Sequence, residues 1–217
     1  MKETLLRIFD LLLQRYGPLH WWPADTPLEV CVGAILTQNT SWGNVEKAIA
    51  NLKGEGLLTL PALRDVSQSR LATVIRPAGF FNVKSLRLKA FINWLYDCYG
   101  GDLDLMFSDD VQELRGALLE VKGVGRETAD SILLYAARKP TFVVDAYTKR
   151  LFSRCGLLPE NSGYEEFRAM FMENLPADEA LFNEYHALIV QHGKEHCRKR
   201  PRCTGCALHV LCCQVLE

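Results

Sequence analysis

Apolar side chains recur three and four positions apart along most of the chain, and the alternation expected of strands is scarce. The spacing predicts helices over 2–16, 27–38, 42–53, 68–75, 82–98, 110–120, 126–137, 144–154, 163–173 and 178–194. Between them stand Gly17-Pro18, Pro23-Ala24-Asp25, Gly54-Glu55-Gly56, Pro77-Ala78-Gly79, Gly100-Gly101, Lys139-Pro140, Pro159 and Pro176. Glycine costs backbone entropy in a helix and proline has no amide to donate, so each is a break. Ser67, Ser108 and Asp178 are expected caps, because their oxygens can take the free amides of a helix start. The expected class is all-α, without repeats and with short connections. The opening MKETLLRIFDLLLQRYG is interrupted by Arg7, Asp10 and Gln14, which reads as an amphipathic helix and neither a signal peptide nor a membrane span. A cytoplasmic protein with no membrane partner is therefore expected.

One interruption differs from the rest. In LLEVKGVGRETADSILLY, residues 118–135, helical spacing stops at Lys122-Gly123-Val124-Gly125 and resumes from Thr128. Two glycines around one apolar residue let the backbone turn tightly and approach a ligand, with Val124 tucked inward. The amides that open the next helix then face outward, where the helix dipole favours an anion. Such a helix–hairpin–helix would grip a phosphate through its backbone, with Lys122 beside it.

The formal net charge of −1 points to no partner, but its distribution is uneven. Acidic residues dominate from Asp97 to Glu120, and Lys194, Arg198, Lys199, Arg200 and Arg202 crowd the stretch from 194 to 202. Two unrelated solvated faces, or one face turned to a polyanion, both fit this asymmetry.

Cysteine usage sharpens the picture. Cys31, Cys98 and Cys155 lie in apolar stretches and are expected to be small buried core residues. The other five cysteines of the eight fall in the last 21 residues, in HGKEHCRKRPRCTGCALHVLCC. Cys197, Cys203, Cys206 and Cys212 follow C-x5-C-x2-C-x5-C, with Cys213 the alternative fourth ligand. A disulfide framework does not suit a chain without a secretion signal. Structural zinc usually takes two close pairs, whereas this spacing has one, which favours a [4Fe–4S] cluster held by a single wandering loop. Arg198, Lys199, Arg200 and Arg202 would then project from a segment tied at both ends, ready to meet phosphates.

The order helix, Gly123-Val124-Gly125, helix, then Val143-Val144-Asp145, then four terminal cysteines resembles the endonuclease III superfamily of DNA glycosylases over nearly the whole chain. LTQNT (36–40) falls at that family's DNA-plugging glutamine, here Gln38, and AGFFNVKSLRL (78–88) falls at its wedge loop, here with Phe80. The resemblance implies a six-helix domain over 22–138, with the hairpin at 118–135. Beside it would lie a cluster domain built from 1–21 and 139–217, with damaged double-stranded DNA bent across the cleft. It also implies that Asp145 is the catalytic carboxylate, although Asp145 in VVDAYTKR fits an ordinary helix cap as well.

Two positions depart from the family pattern. Where bifunctional members carry a lysine two residues after the second hairpin glycine, this chain has Glu127. A carboxylate cannot attack the sugar as an amine does, so no strand-cleaving lyase activity is expected. The first cysteine interval is also one residue shorter than usual. Trp22-Pro23, Trp42 and Glu127 resemble a narrower branch, the 3-methyladenine DNA glycosylases of this fold. That implies a monofunctional, monomeric base-excision enzyme with an aromatic, acidic pocket that selects cationic alkylated purines. The alternatives are an endonuclease III-like glycosylase for oxidised pyrimidines or mismatched bases, and a non-enzymatic DNA-binding module, against which Asp145 argues.

Overall fold

Seven helices of the described residues begin where the side chain of a Thr, Ser or Asp takes up one of the unpaired amides. A computed structural model describes residues 1–19 and 21–212. It contains α1 (Lys2–Tyr16), α2 (Pro27–Leu36), α3 (Trp42–Gly54), α4 (Leu60–Asp65), α5 (Gln68–Val74) and α6 (Phe81–Tyr99). These are followed by α7 (Leu103–Ser108), α8 (Val111–Glu120), α9 (Arg126–Ser131), α10 (Ala146–Arg154), α11 (Tyr164–Met172) and α12 (Glu179–Glu195). A 3-10 turn at Arg76–Ala78 precedes α6, and α9 runs into a wider π turn at Ile132–Ala136. Among the described residues there is no strand, so the protein is all-α. None of their helices is long and apolar enough to cross a membrane.

Helices α4 and α7 are additions to the expected set. Both are six residues long, too short for a period of 3.6 to register. Local capping makes them: the Thr59 hydroxyl accepts from Ala62 N, and the Asp102 carboxylate accepts from the amides of Asp104 and Leu105. Ser67 and Asp178 cap α5 and α12 as expected. Ser108 does not cap. Its hydroxyl donates to Leu105 O at the end of α7, and Asp110 caps α8 through Gln112 N. Cys98 also departs from expectation and is exposed, with Cys155 half-buried and Cys31 buried. The buried stripe of α6 runs through Leu88, Phe91, Ile92 and Leu95, and Cys98 falls beside its continuation.

The chain divides into two compact units, Met1–Pro23 with Pro140–Glu217, and Ala24–Lys139. The middle unit is organised around α2, which is buried from Leu28 to Leu36 and packs on α3, α6, α9 and the π turn. A helix apolar on every side has nowhere to go but the centre. In the terminal unit, Phe142 stacks on Phe171 at 3.5 Å between ring centroids, with Phe152, Phe182 and Tyr185 edge-on around them. Burying each ring contributes roughly 1.5–3 kcal/mol. The Tyr185 hydroxyl donates to Leu5 O at 2.7 Å, fastening α12 to α1.

Candidate active site and nucleic-acid interface

The hairpin is built by α8 and α9 of the middle unit. Arg115 on α8 makes two parallel hydrogen bonds of 2.9 Å to the buried Asp130 on α9. That fork fixes the two helices against each other more firmly than a single contact could. Between them Val124 is 5% exposed and anchors the turn, while Lys122 and Gly125 face solvent. Gly123 has φ +91°, a region other residues rarely adopt, and a Cβ there would run into the Arg87 side chain. Gly125 has ordinary extended backbone and open space where a Cβ would stand. The two glycines therefore do different work: one permits the turn, and the other leaves the mouth of α9 bare.

Two loops of the same unit carry the expected insertion residues. Helix α2 ends at Leu36, earlier than its apolar spacing implies, and Thr37 Oγ1 donates back to Gly33 O at 2.6 Å. Gln38 therefore lies outside the helix, followed by Asn39 at φ +55°. Gln38 Nε2 donates to Gly123 O and to Thr128 Oγ1, both at 3.1 Å, and Gln38 Oε1 accepts from Arg87. Phe80 opens α6 with φ +45° and is 69% exposed. A large aromatic held in left-handed backbone and turned to solvent costs energy twice over, which marks a position shaped for contact. Lys84, 1% exposed, lies beneath both loops. Its ammonium donates to Leu36 O at 2.8 Å and to Ala78 O at 2.7 Å, two residues before Gln38 and Phe80 respectively. Burial, with a smaller push from Arg87, pulls its pKa down to about 8.

Glu127 lies in the first turn of α9 and is exposed, its backbone carbonyl accepting from Ser131 Oγ. Trp42 opens α3, half-buried, with its Nε1 donating to Glu46 Oε1 at 2.8 Å. Trp22, half-buried, and Pro23, exposed, belong to the terminal unit.

Asp145 also belongs to the terminal unit, where it ends the buried Phe142-Val143-Val144 run and caps α10. Its Oδ1 accepts from Thr148 N at 2.8 Å and from Thr148 Oγ1 at 3.0 Å. Its Oδ2 faces His186 Nε2 of α12 at 3.7 Å. Burial alone would raise the carboxyl pKa. Charge from His186, with the two Thr148 bonds, outweighs it and holds Asp145 below its ordinary value. The result is a carboxylate, ionised near neutral pH, whose cap is made by one oxygen only.

The four spaced cysteines come together. Cys197, Cys203, Cys206 and Cys212 line one pocket with Arg154 and His192, and Cys213 lies outside the described residues. Among the described residues no group of three or more His, Cys, Asp or Glu side chains is placed to hold a metal ion. Arg154 Nη1 points at Cys197 Sγ at 3.4 Å, and His192 Nε2 lies 3.4 Å from Cys206 Sγ. Burial pushes the Cys206 thiol up, and the other three cysteines add to the shift. Arg198, Lys199, Arg200 and Arg202 are all exposed on the intervening loop. That loop is held by hydrogen bonds within the unit: Arg154 donates to Arg198 O and Lys199 O, and Arg202 N donates to His196 O.

Sequence reasoning missed His186, Arg87, Lys84 and Arg154. His186 sits on the buried face of α12 among Tyr185 and Ile189, where the only available signal was a titratable residue in an apolar stripe. Arg87 and Lys84 lay inside the segment assigned to the wedge, but periodicity could not say that they turn back toward Gln38 and its loop.

Residues 32–177 match the family model of the HhH-GPD superfamily base excision DNA repair proteins. A protein of Methanocaldococcus jannaschii provisionally named a DNA repair glycosylase is 50% identical over 211 residues, covering 97% of this chain and 96% of that one. Endonuclease III of Escherichia coli is 27% identical over 87% of this chain and 84% of its own. Among solved structures, the 3-methyladenine DNA glycosylase MagIII of H. pylori, bound to 1,N6-ethenoadenine, superposes with a TM-score of 0.75. The identity is 29%, covering 89% of this chain and 97% of that one. A non-covalent endonuclease III–DNA complex gives a TM-score of 0.84 at 22% identity, covering 98% and 95% of the two chains, a likeness of fold.

Proposed function

This chain belongs to the HhH-GPD superfamily of base excision DNA repair proteins and is a DNA glycosylase, and within that family we propose that it is a monofunctional enzyme for alkylated purines such as 3-methyladenine. The observation that carries this reading is Glu127. An exposed carboxylate occupies the first turn of α9, where a strand-cleaving enzyme would present its attacking amine. Similarity to the H. pylori 3-methyladenine glycosylase supports the same choice.

In the proposed reaction the bond between C1′ and the base nitrogen breaks, and its electron pair leaves with the base. Alkylation has already made that base cationic, so it departs neutral and needs no strong general acid. Positive charge develops on the sugar, where the Asp145 carboxylate stabilises it. Asp145 also takes a proton from the water whose oxygen bonds to C1′. Trp42, Trp22 and Pro23 offer the base aromatic and apolar contact, worth about 0.5–2 kcal/mol for a cation on a ring, and Glu127 supplies negative charge.

On double-stranded DNA the proposed monomer holds phosphate through the hairpin at Gly123 and Gly125, with Lys122 beside it. Phe80 enters the stack and Gln38 fills the space left by the extruded base. Arg198, Lys199, Arg200 and Arg202 meet the DNA backbone. We assign the hairpin domain to the middle unit and the cluster domain to the terminal one. Cys197, Cys203, Cys206 and Cys212 fit a [4Fe–4S] cluster, because four sulfurs share one pocket and nitrogen groups of Arg154 and His192 approach two of them. When bound, the cluster would tie both ends of the basic loop.

A panel of duplexes, each carrying one defined lesion, tests the assignment. The expected product from a 3-methyladenine strand is free base and an intact abasic strand, with no adduct trapped by borohydride. A trapped adduct, or turnover of thymine glycol or a G·T mismatch with alkylated DNA untouched, would replace it with the endonuclease III-like alternative.

A further inference from the structure

We infer that Arg87 and Thr128 are positioning residues that hold Gln38 retracted on the hairpin when no DNA is bound, and that this docking sets the energy required for the glutamine to enter a duplex. The inference rests on the proposed role of Gln38 and adds to it a resting state and the groups that define it.

A carboxamide has two N–H donors and one carbonyl oxygen. In Gln38 both donors are engaged, one with Gly123 O and one with Thr128 Oγ1, each at 3.1 Å. The carbonyl accepts from the Arg87 guanidinium. All of the groups that could read an orphaned base are therefore turned inward. Arg87 is itself fixed, because its aliphatic stem lies over Gly123 where a Cβ would otherwise stand. The hairpin that is proposed to grip phosphate thus also supplies the acceptors that hold the glutamine.

The backbone that leads to Gln38 is tied down on the near side. Lys84 fixes Leu36 O, and Thr37 is bonded back to Gly33 O. Deployment is then a rotation of the Gln38 side chain, in which three hydrogen bonds to protein are exchanged for bonds to DNA. A hydrogen bond to a charged group carries more weight than a neutral one, so Arg87 is the strongest part of the latch.

The test measures affinity for a duplex carrying one tetrahydrofuran abasic analogue and for the matching undamaged duplex. The ratio of the two cancels the loss of phosphate attraction when a cation is removed. A 2-aminopurine opposite the analogue reports entry of the side chain by its fluorescence. Arg87→Met keeps the stem over Gly123, and Thr128→Val keeps the shape of the threonine. Each is expected to raise the ratio roughly threefold to tenfold and to shift the 2-aminopurine signal toward the inserted state. Both effects should vanish when Gln38→Ala is combined with them.

If Gln38→Ala lowers the ratio while Arg87→Met and Thr128→Val leave it unchanged or lower it, the glutamine enters DNA but is not held back, and the latch is wrong. If Gln38→Ala itself leaves the ratio unchanged, the insertion role fails and the latch fails with it. Thermal melts accompany each variant, and should Arg87→Met not fold, Thr128→Val decides alone.

Discussion

The role of Asp145 can be separated from its role as a helix cap by two substitutions at the same position. The cap uses Oδ1, which accepts from both the amide and the hydroxyl of Thr148. Asparagine retains a carbonyl oxygen there and caps about as well as aspartate, so Asp145→Asn should change stability by no more than about 1 kcal/mol. Alanine retains nothing, and Asp145→Ala should cost roughly 0.5–2 kcal/mol. Against a typical total of about 5–15 kcal/mol, either variant leaves about 99% or more of the molecules folded. Catalysis responds to the charge instead. Removing a carboxylate that stabilises the sugar cation and takes the water proton should slow base release by roughly 10²–10⁴-fold, about 3–5 kcal/mol of barrier. Single-turnover release from a 3-methyladenine duplex, beside thermal melts and affinity for undamaged DNA, measures all three quantities. A cap without a catalytic role predicts the same order of stabilities but an unchanged rate of base release in both folded variants, with Asp145→Asn as active as the parent. That outcome would refute the assignment.

Further expectations follow from the same geometry. Because Asp145 has a depressed folded pKa, its contribution to stability is present above its ordinary value of 3.8 and is lost as pH falls through the lower folded value. The melting temperatures of parent and Asp145→Asn should therefore converge on acidification through that window, as followed by circular dichroism. Gly123→Ala forces a side chain into positive φ against Arg87 and should cost about 1–2 kcal/mol or more in a urea melt. Gly125→Ala meets open space and should melt like the parent, yet bind duplexes of any sequence more weakly in fluorescence anisotropy. Lys84→Met leaves the carbonyls of Leu36 and Ala78 without their donor and should lower stability by about 2 kcal/mol or more, visible by calorimetry. Cys203→Ser should lose iron and acid-labile sulfide in anaerobically purified protein, whereas stoichiometric zinc without iron in the parent would reject the cluster.

Local patterning was sufficient for much of the architecture. Ten helices were legible because burial at a period of 3.6 leaves a record in residue order, and Ser67 and Asp178 were legible because a cap acts within three residues. The Gly123-Val124-Gly125 turn and the cysteine spacing were legible for the same reason: each is a short-range constraint with few residue types that satisfy it. Helices α4 and α7 escaped because six residues are too few to show a period. The exposure of Cys98 escaped because neighbouring apolar residues do not say which side of α6 meets the core. Contacts between distant segments were not written locally at all. His186 stands 41 residues from Asp145 yet faces its carboxylate, and Gln38 reaches 85 and 90 residues along the chain to Gly123 and Thr128. A residue's type shows what it can donate or accept; only the packing of helices decides which partner comes within reach, because that distance depends on every side chain filling the space between them.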